Sequence, residues 1–276
     1  MCAVHAGLRL TVVFVHGCQH RRSFWSGVER EMSAQSAVRT RSIDLEGLCF
    51  VSDMVAKLRR DLEEDVEEED DVIFVGHSQG GLVVQSHLAT GGAARGAILM
   101  APVPLDAALF ARHAIRLALK VPALGLLRSV ATLNSRHVLA PDLETMRRNF
   151  FLDSTQATTR VGDESSLLLR NKKGTSLADY FENEVTQADS AVAGLRCRGN
   201  ARDIAVPTLV LAAEHDRLVD LDLLEALAAM IPHAELIVVR NQAHAFADPG
   251  WEHALCGPIR RFIQRTLERN ERRSER

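Results

Sequence analysis

The chain has 276 residues, 46% of them hydrophobic and 25% charged, with a formal net charge of −3. That is the balance of a soluble, core-forming protein, and it excludes collagen-like, low-complexity and wholly disordered chains. Near-neutral charge and few aromatics (10 Phe, 2 Trp, 1 Tyr) exclude a general nucleic-acid binder, since neither a basic field nor a stacking surface is available. In chain order, the apolar N-terminal stretch is interrupted by Arg9 and is too short for a secretory core or a membrane span. Leu8–Val15 reads as a buried strand ending at His16-Gly17. A helix follows over Ser23–Gln35, then a strand over Val38–Leu45 that ends in Asp44-Leu45-Glu46-Gly47. Ser52 is expected to cap a helix through Met54, Val55, Leu58 and Leu62. Asp61–Asp71 carries nine acids in eleven positions and reads as a solvated helix end and loop.

Val72–Val75 is a strand leading into Gly76-His77-Ser78-Gln79-Gly80-Gly81, with a helix over Leu82–Ala89 behind it. Further strands are expected at Ala97–Met100, Pro207–Ala212 and Glu235–Val239. Helices are expected at Leu221–Met230 and Trp251–Leu267, and a frayed tail at Glu268–Arg276. Strands that are apolar throughout and alternate with helices imply a mostly parallel sheet covered on both faces, an α/β fold. Leu105–Arg202 shows helical patterns, a basic excess and no strand, so it reads as a helical insertion between two strands. The expected division is a core of 1–104 and 203–276 with an inserted cap of 105–202. Five widely spaced cysteines (Cys2, Cys18, Cys49, Cys197, Cys256) with no CxxC pair fit reduced thiols and a cytoplasmic location.

Gly76-His77-Ser78-Gln79-Gly80 is a G-x-S-x-G sequence between a β-branched strand and an apolar helix, the setting a strained nucleophile elbow requires. The glycines permit the tight turn, and the turn lifts the Ser78 hydroxyl to the carboxyl end of the sheet. A serine hydroxyl needs a base, and the base needs an acid to orient it. His244 follows the last expected strand in Asn241-Gln242-Ala243-His244, and Asp216 follows Pro207–Ala212 in Glu214-His215-Asp216-Arg217. Ser, Asp, His is the chain order that goes with this elbow. The backbone N–H of Gln79 and that of Cys18, after His16-Gly17, are the candidate oxyanion donors. His16 and His20 with Cys18 between them lack a third well-placed ligand, so no metal is expected.

These residues resemble the α/β-hydrolase superfamily over most of the chain, closest to lysophospholipase-like and esterase-like members with a sizeable lid. The likeness rests on His16-Gly17, the GHSQGG elbow, PTLVLAAEHDRLV, NQAHAF and Asp44-x-x-Gly47. It implies an eight-stranded sheet, a helical cap after the sixth strand, and catalysis without a cofactor. The chain begins almost at the strand before His16, so the expected sheet has about six to eight strands, six with a different edge if the family's first hairpin is absent. Ala243 stands where the family commonly has Gly, and Asp106 occupies a position from which some members supply the acid. Phe110–Ala131, apolar with interspersed Arg and Lys, is either a lid lining an acyl pocket with cations for a head group, or plain cap packing with solvated arginines. The expected reaction is cleavage of a carboxylic ester or thioester of a small-molecule acyl substrate. Membrane involvement is limited to weak surface contact of the cap. C–C hydrolysis, haloperoxidase or lyase chemistry on the same three residues, and ligand binding without catalysis, are the rivals. Dehalogenation would need a carboxylate where Ser78 stands.

Overall fold

The computed structural model describes residues 10–33, 38–45, 47–48, 50–66, 71–132, 135–152, 198–248 and 251–274. Cys2, Glu46, Cys49, Cys197 and the stretch 153–197 of the expected cap lie outside the described residues. Six strands, β1 (Leu10–Val15), β2 (Arg39–Ile43), β3 (Asp71–His77), β4 (Gly96–Met100), β5 (Thr208–Ala213) and β6 (Ala234–Val239), form one all-parallel sheet in the order β2-β1-β3-β4-β5-β6. Each lies where a strand was expected, and among the described residues there are six. The edge strand β2 (RTRSI) is partly exposed and places charge where an unpaired edge would otherwise recruit another strand.

Strand side chains alternate between two apolar layers, as a pleated sheet buried on both faces requires. Val12 and Phe14 pack with Trp25, Val28 and Met32 of the turn Arg22–Trp25 and helix α1 (Ser26–Ser33). Ile259, Phe262 and Ile263 of the C-terminal helix join that layer. Val13 and Val15 face the other way, onto Val51, Met54 and Leu58 of α2 (Val51–Asp65) and Leu82, Val83 and Val84 of α3 (Gln79–Ala89). Helix α2 starts one residue before Ser52. Phe50 stands at the cap position without a side-chain capping hydrogen bond, and the Ser52 hydroxyl donates to Asp53 Oδ1 at 3.3 Å. The buried Val51 is already needed in the helix to cover β1 and β2, so packing sets the start and not the hydroxyl.

Between β4 and β5 the chain forms α4 (Ala107–Lys120), α5 (Ala123–Thr132), α6 (Arg136–Leu139) and α7 (Leu143–Phe150). After β5 come α8 (Leu221–Met230), β6, a π-helical turn (Glu252–Cys256) and α9 (Gly257–Ser274). The tail does not fray at Glu268, since α9 continues to Ser274. Good helix formers and a Gln264–Glu268 bond at 3.0 Å one turn apart support it. No described helix is long and apolar enough to cross a membrane.

In Phe110–Ala131 the apolar side chains divide between packing and exposure, and the cations have acidic partners. Arg112, Arg116 and Lys120 lie one turn apart on α4 and are part-exposed. They pair with Asp220 and Asp222 at the start of α8 over 2.6–3.1 Å. Leu109, Phe110 and Leu117 pack inward, whereas Ile115, Leu119, Leu124, Leu127 and Val130 are more than half exposed.

Candidate active site

The strand order reverses between β1 and β3: the chain leaves β1 for β2 on one side and returns to β3 on the other. At such a switch point the loops after the two strands diverge and leave a crevice at the carboxyl edge. Register aligns Val15 with Gly76, so the His16-Gly17 loop meets the end of β3. His16 ties that loop down. Its Nε2 accepts from Leu45 N–H at 3.0 Å, which leaves Nδ1 to donate to the Gly17 carbonyl at 3.0 Å. Asp44 Oδ1 lies 3.4 Å from the same Nε2.

Ser78 sits between β3 and α3 with φ 51° and ψ −116°, a left-handed φ that costs a non-glycine residue strain. The turn is held by Ser78 N–H to Met100 O at 2.9 Å and Val103 N–H to Ser78 O at 3.1 Å. The glycines are steric necessities. A Cβ on Gly80 would lie 2.2 Å from Val15 O, one on Gly76 2.8 Å from Gly80 O, and one on Gly17 2.9 Å from Ser78 Cβ. Gly81, not singled out from sequence, is equally constrained, with Pro102 Cβ 2.7 Å away.

The loop after β6 carries His244, and Asp248 organises it. Its carboxylate accepts from Ala243 N–H at 2.8 Å and Leu152 N–H at 3.0 Å. Burial pushes the Asp248 carboxyl up from its ordinary range. Sequence reasoning passed over Asp248 because nothing local marks it. Ala243 costs nothing here, since the positive φ values of this loop fall at Asn241 and Phe246.

His244 Nδ1 lies 2.8 Å from Asp216 Oδ2, and each side chain is only 2% exposed. The second carboxylate oxygen accepts from Leu218 N–H at 2.8 Å and Val219 N–H at 2.9 Å. A carboxylate whose oxygens are engaged this way asks His244 for a proton on Nδ1 and leaves Nε2 as the lone-pair nitrogen. Asp106 is elsewhere: it caps α4, with Oδ1 accepting from Ala108 and Leu109 N–H at 3.0 Å each. A Ser78 Oγ to His244 Nε2 hydrogen bond is not among those of the structure. What joins the two loops is His77, whose Nε2 lies 2.8 Å from the His244 carbonyl.

Cys18 and Gln79 touch, the thiol donating to Gln79 Oε1 at 2.7 Å. Burial pushes the Cys18 thiol up to about 11, so it remains a protonated donor at neutral pH. Burial also holds His20 and His77 well below the ordinary imidazole range, each helped by neighbouring histidines including His244. His113, on the inner side of α4, is buried and lowered to about 4 by desolvation and then by His244. It went unnoticed in the sequence because a lone histidine within an apolar helix carries no local signal. A cavity of about 490 Å³ opens beside Asp216, lined among the described residues by Leu152, His215, Asp216 and Arg217. Among the described residues no three His, Cys, Asp or Glu side chains gather as metal ligands would.

The profile of the Alpha/beta hydrolase family matches residues 12–254. The chain belongs to that family. As an alpha/beta hydrolase it shares its fold with an esterase from Thermogutta terrifontis (TM-score 0.64, 18% identity, 95% of this chain and 92% of that one). It is also similar to esterase RhEst1 from Rhodococcus sp. ECU1013 (TM-score 0.62, 18% identity, 93% and 90%). Carboxylesterase CesB from Bacillus subtilis is a third (TM-score 0.59, 15% identity, 94% and 84%). At these identities the likeness concerns the fold. No curated protein matches the sequence of this hydrolase.

Proposed function

We propose that this alpha/beta hydrolase is a serine hydrolase that cleaves a carboxylic ester or thioester of a small-molecule acyl substrate in the cytoplasm. Ser78 attacks the acyl carbon while His244 Nε2 takes its proton. Asp216 keeps the imidazole in the required tautomer and stabilises the imidazolium. The tetrahedral oxyanion is met by the backbone N–H groups of Gln79 and Cys18, and the N-terminus of α3 adds its dipole. His244 then protonates the leaving alcohol or thiol, and in the second half it activates water against the acyl-enzyme. Residues 105–202 act as the cap. The observation that carries the reading is the buried 2.8 Å contact between His244 and Asp216, at the sheet edge where Ser78 stands on a strained turn.

The test is a panel of p-nitrophenyl esters and acyl thioesters with the native protein and Ser78→Ala. Turnover of at least one member that falls by a thousand-fold or more in the variant supports the reading, on the order expected when a triad nucleophile is removed. Equal turnover by both proteins, or none by either, removes it.

A further inference from the structure

His77 precedes Ser78 in the chain, and its ring is fully buried. The ring stacks on Phe24 (5.1 Å, 22°) and meets Phe246 edge-on (6.3 Å, 87°). One ring nitrogen, Nε2, reaches the His244 carbonyl at 2.8 Å. A carbonyl oxygen only accepts, so Nε2 carries the hydrogen. Nδ1 is then a bare lone pair, and it is buried without a hydrogen bond. It faces the Gly17 loop, where a Cβ on Gly17 would lie 3.0 Å away. The ring is thus fixed in one neutral tautomer, which burial favours.

The other hydrogen bonds of the histidine loop run to Asp216, Asp248, Glu214, His215 and Phe150 or stay within the loop, and none of them touches the elbow. Among the described residues the His77–His244 contact is the one hydrogen bond between residues 76–81 and 240–248. It links the peptide next to the nucleophile to the peptide of the base, two points 167 residues apart in sequence. Backbone-to-backbone spacing at this place decides whether the Ser78 hydroxyl and His244 Nε2 come within proton-transfer distance.

We propose that His77 is a positioning residue whose Nε2–H, through the His244 carbonyl, sets the distance between Ser78 and the His244 imidazole. The proposal rests on the reading of Ser78 and His244 as nucleophile and base. It predicts that the donor matters and the second nitrogen does not. His77→Phe keeps ring shape and removes the donor, while His77→Gln keeps an amide N–H near the Nε2 position.

The experiment compares kcat and KM on the best ester, the rate of fluorophosphonate labelling, and the melting temperature for the native protein and both variants. A positioning role requires the Phe variant to lose on the order of a hundred-fold in kcat, as an ångström-scale misplacement does, with KM within about two-fold. Gln should recover to within about ten-fold of native kcat. A folded Phe variant with native kcat, or a Gln variant as slow as Phe, overturns the proposal. Should the Phe variant not fold, the Gln variant decides alone by the same ten-fold criterion. Failure of the native protein to label at Ser78 would instead strike the underlying assignment, and the proposal would fall with it.

Discussion

Replacing Asp216 with Asn separates chemistry from stability, because the carboxylate does two jobs with two oxygens. Oδ1 accepts from Leu218 and Val219 N–H, and Asn keeps that oxygen. Oδ2 faces His244 Nδ1 at 2.8 Å, and there Asn presents an N–H₂ group. Two donors cannot share that contact, so the ring must carry its proton on Nε2, where it cannot accept from Ser78. Loss of the correct tautomer costs about 10⁴ in kcat in serine hydrolysis, about 5.5 kcal/mol of barrier. Asp216→Ala loses both functions: two partly buried N–H groups go unmatched at about 1–3 kcal/mol each. For a domain of this size that lowers the melting temperature by roughly 5 °C or more. Steady-state ester hydrolysis and thermal melting measured on both variants check this. An Asn variant with more than a tenth of native kcat, or an Asn variant that melts as low as Ala, would refute the argument.

Gly80→Ala should fail as a folded enzyme, because its Cβ would stand 2.2 Å from Val15 O and 2.4 Å from His16 O, both backbone. Gly257→Ala meets only Arg261 Nη1 at 3.3 Å within a helix, so its melting temperature should hold or rise by up to about 1 kcal/mol in equivalent stability. His87 and His113 are lowered to about 4 by burial, so the unfolded chain takes up their protons first below pH 6.5. Their contribution is fully present above pH 6.5 and is lost as pH falls toward 4, by at most about 3 kcal/mol each. Urea midpoints at pH 7 and pH 5 should show the fall, and His87→Leu should flatten it; a midpoint independent of pH would contradict the assignment. Removing the acids that hold α4, as Asp220→Ala with Asp222→Ala, should speed proteolysis within residues 107–120 while the sheet melts almost as before. Unchanged cleavage would mean that the ion pairs do not hold the helix.

The sheet could be read from the sequence because every central strand is an apolar run buried on both faces, and LTVVFV and TLVLAA announce this without any alternation. The elbow and the two loops bearing Asp216 and His244 were legible for a related reason, since they follow directly on such strands. Asp248, His77 and His113 were not legible in their roles. Each matters through a partner far away in sequence, and no local pattern encodes that meeting. The pairing of Arg112, Arg116 and Lys120 with Asp220 and Asp222 was invisible on the same ground: the sequence shows interspersed cations but not what they face. Ser52 misled because a capping residue type stood one position inside a helix whose start packing had already set.

Intact-protein and peptide mass spectrometry after exposure to a fluorophosphonate tests the hydrolytic account most directly. One adduct per chain should appear, on the peptide containing Ser78, and it should be absent in Ser78→Ala and slowed by several orders of magnitude in His244→Ala. An adduct on another residue, or equal labelling of Ser78→Ala, would contradict it.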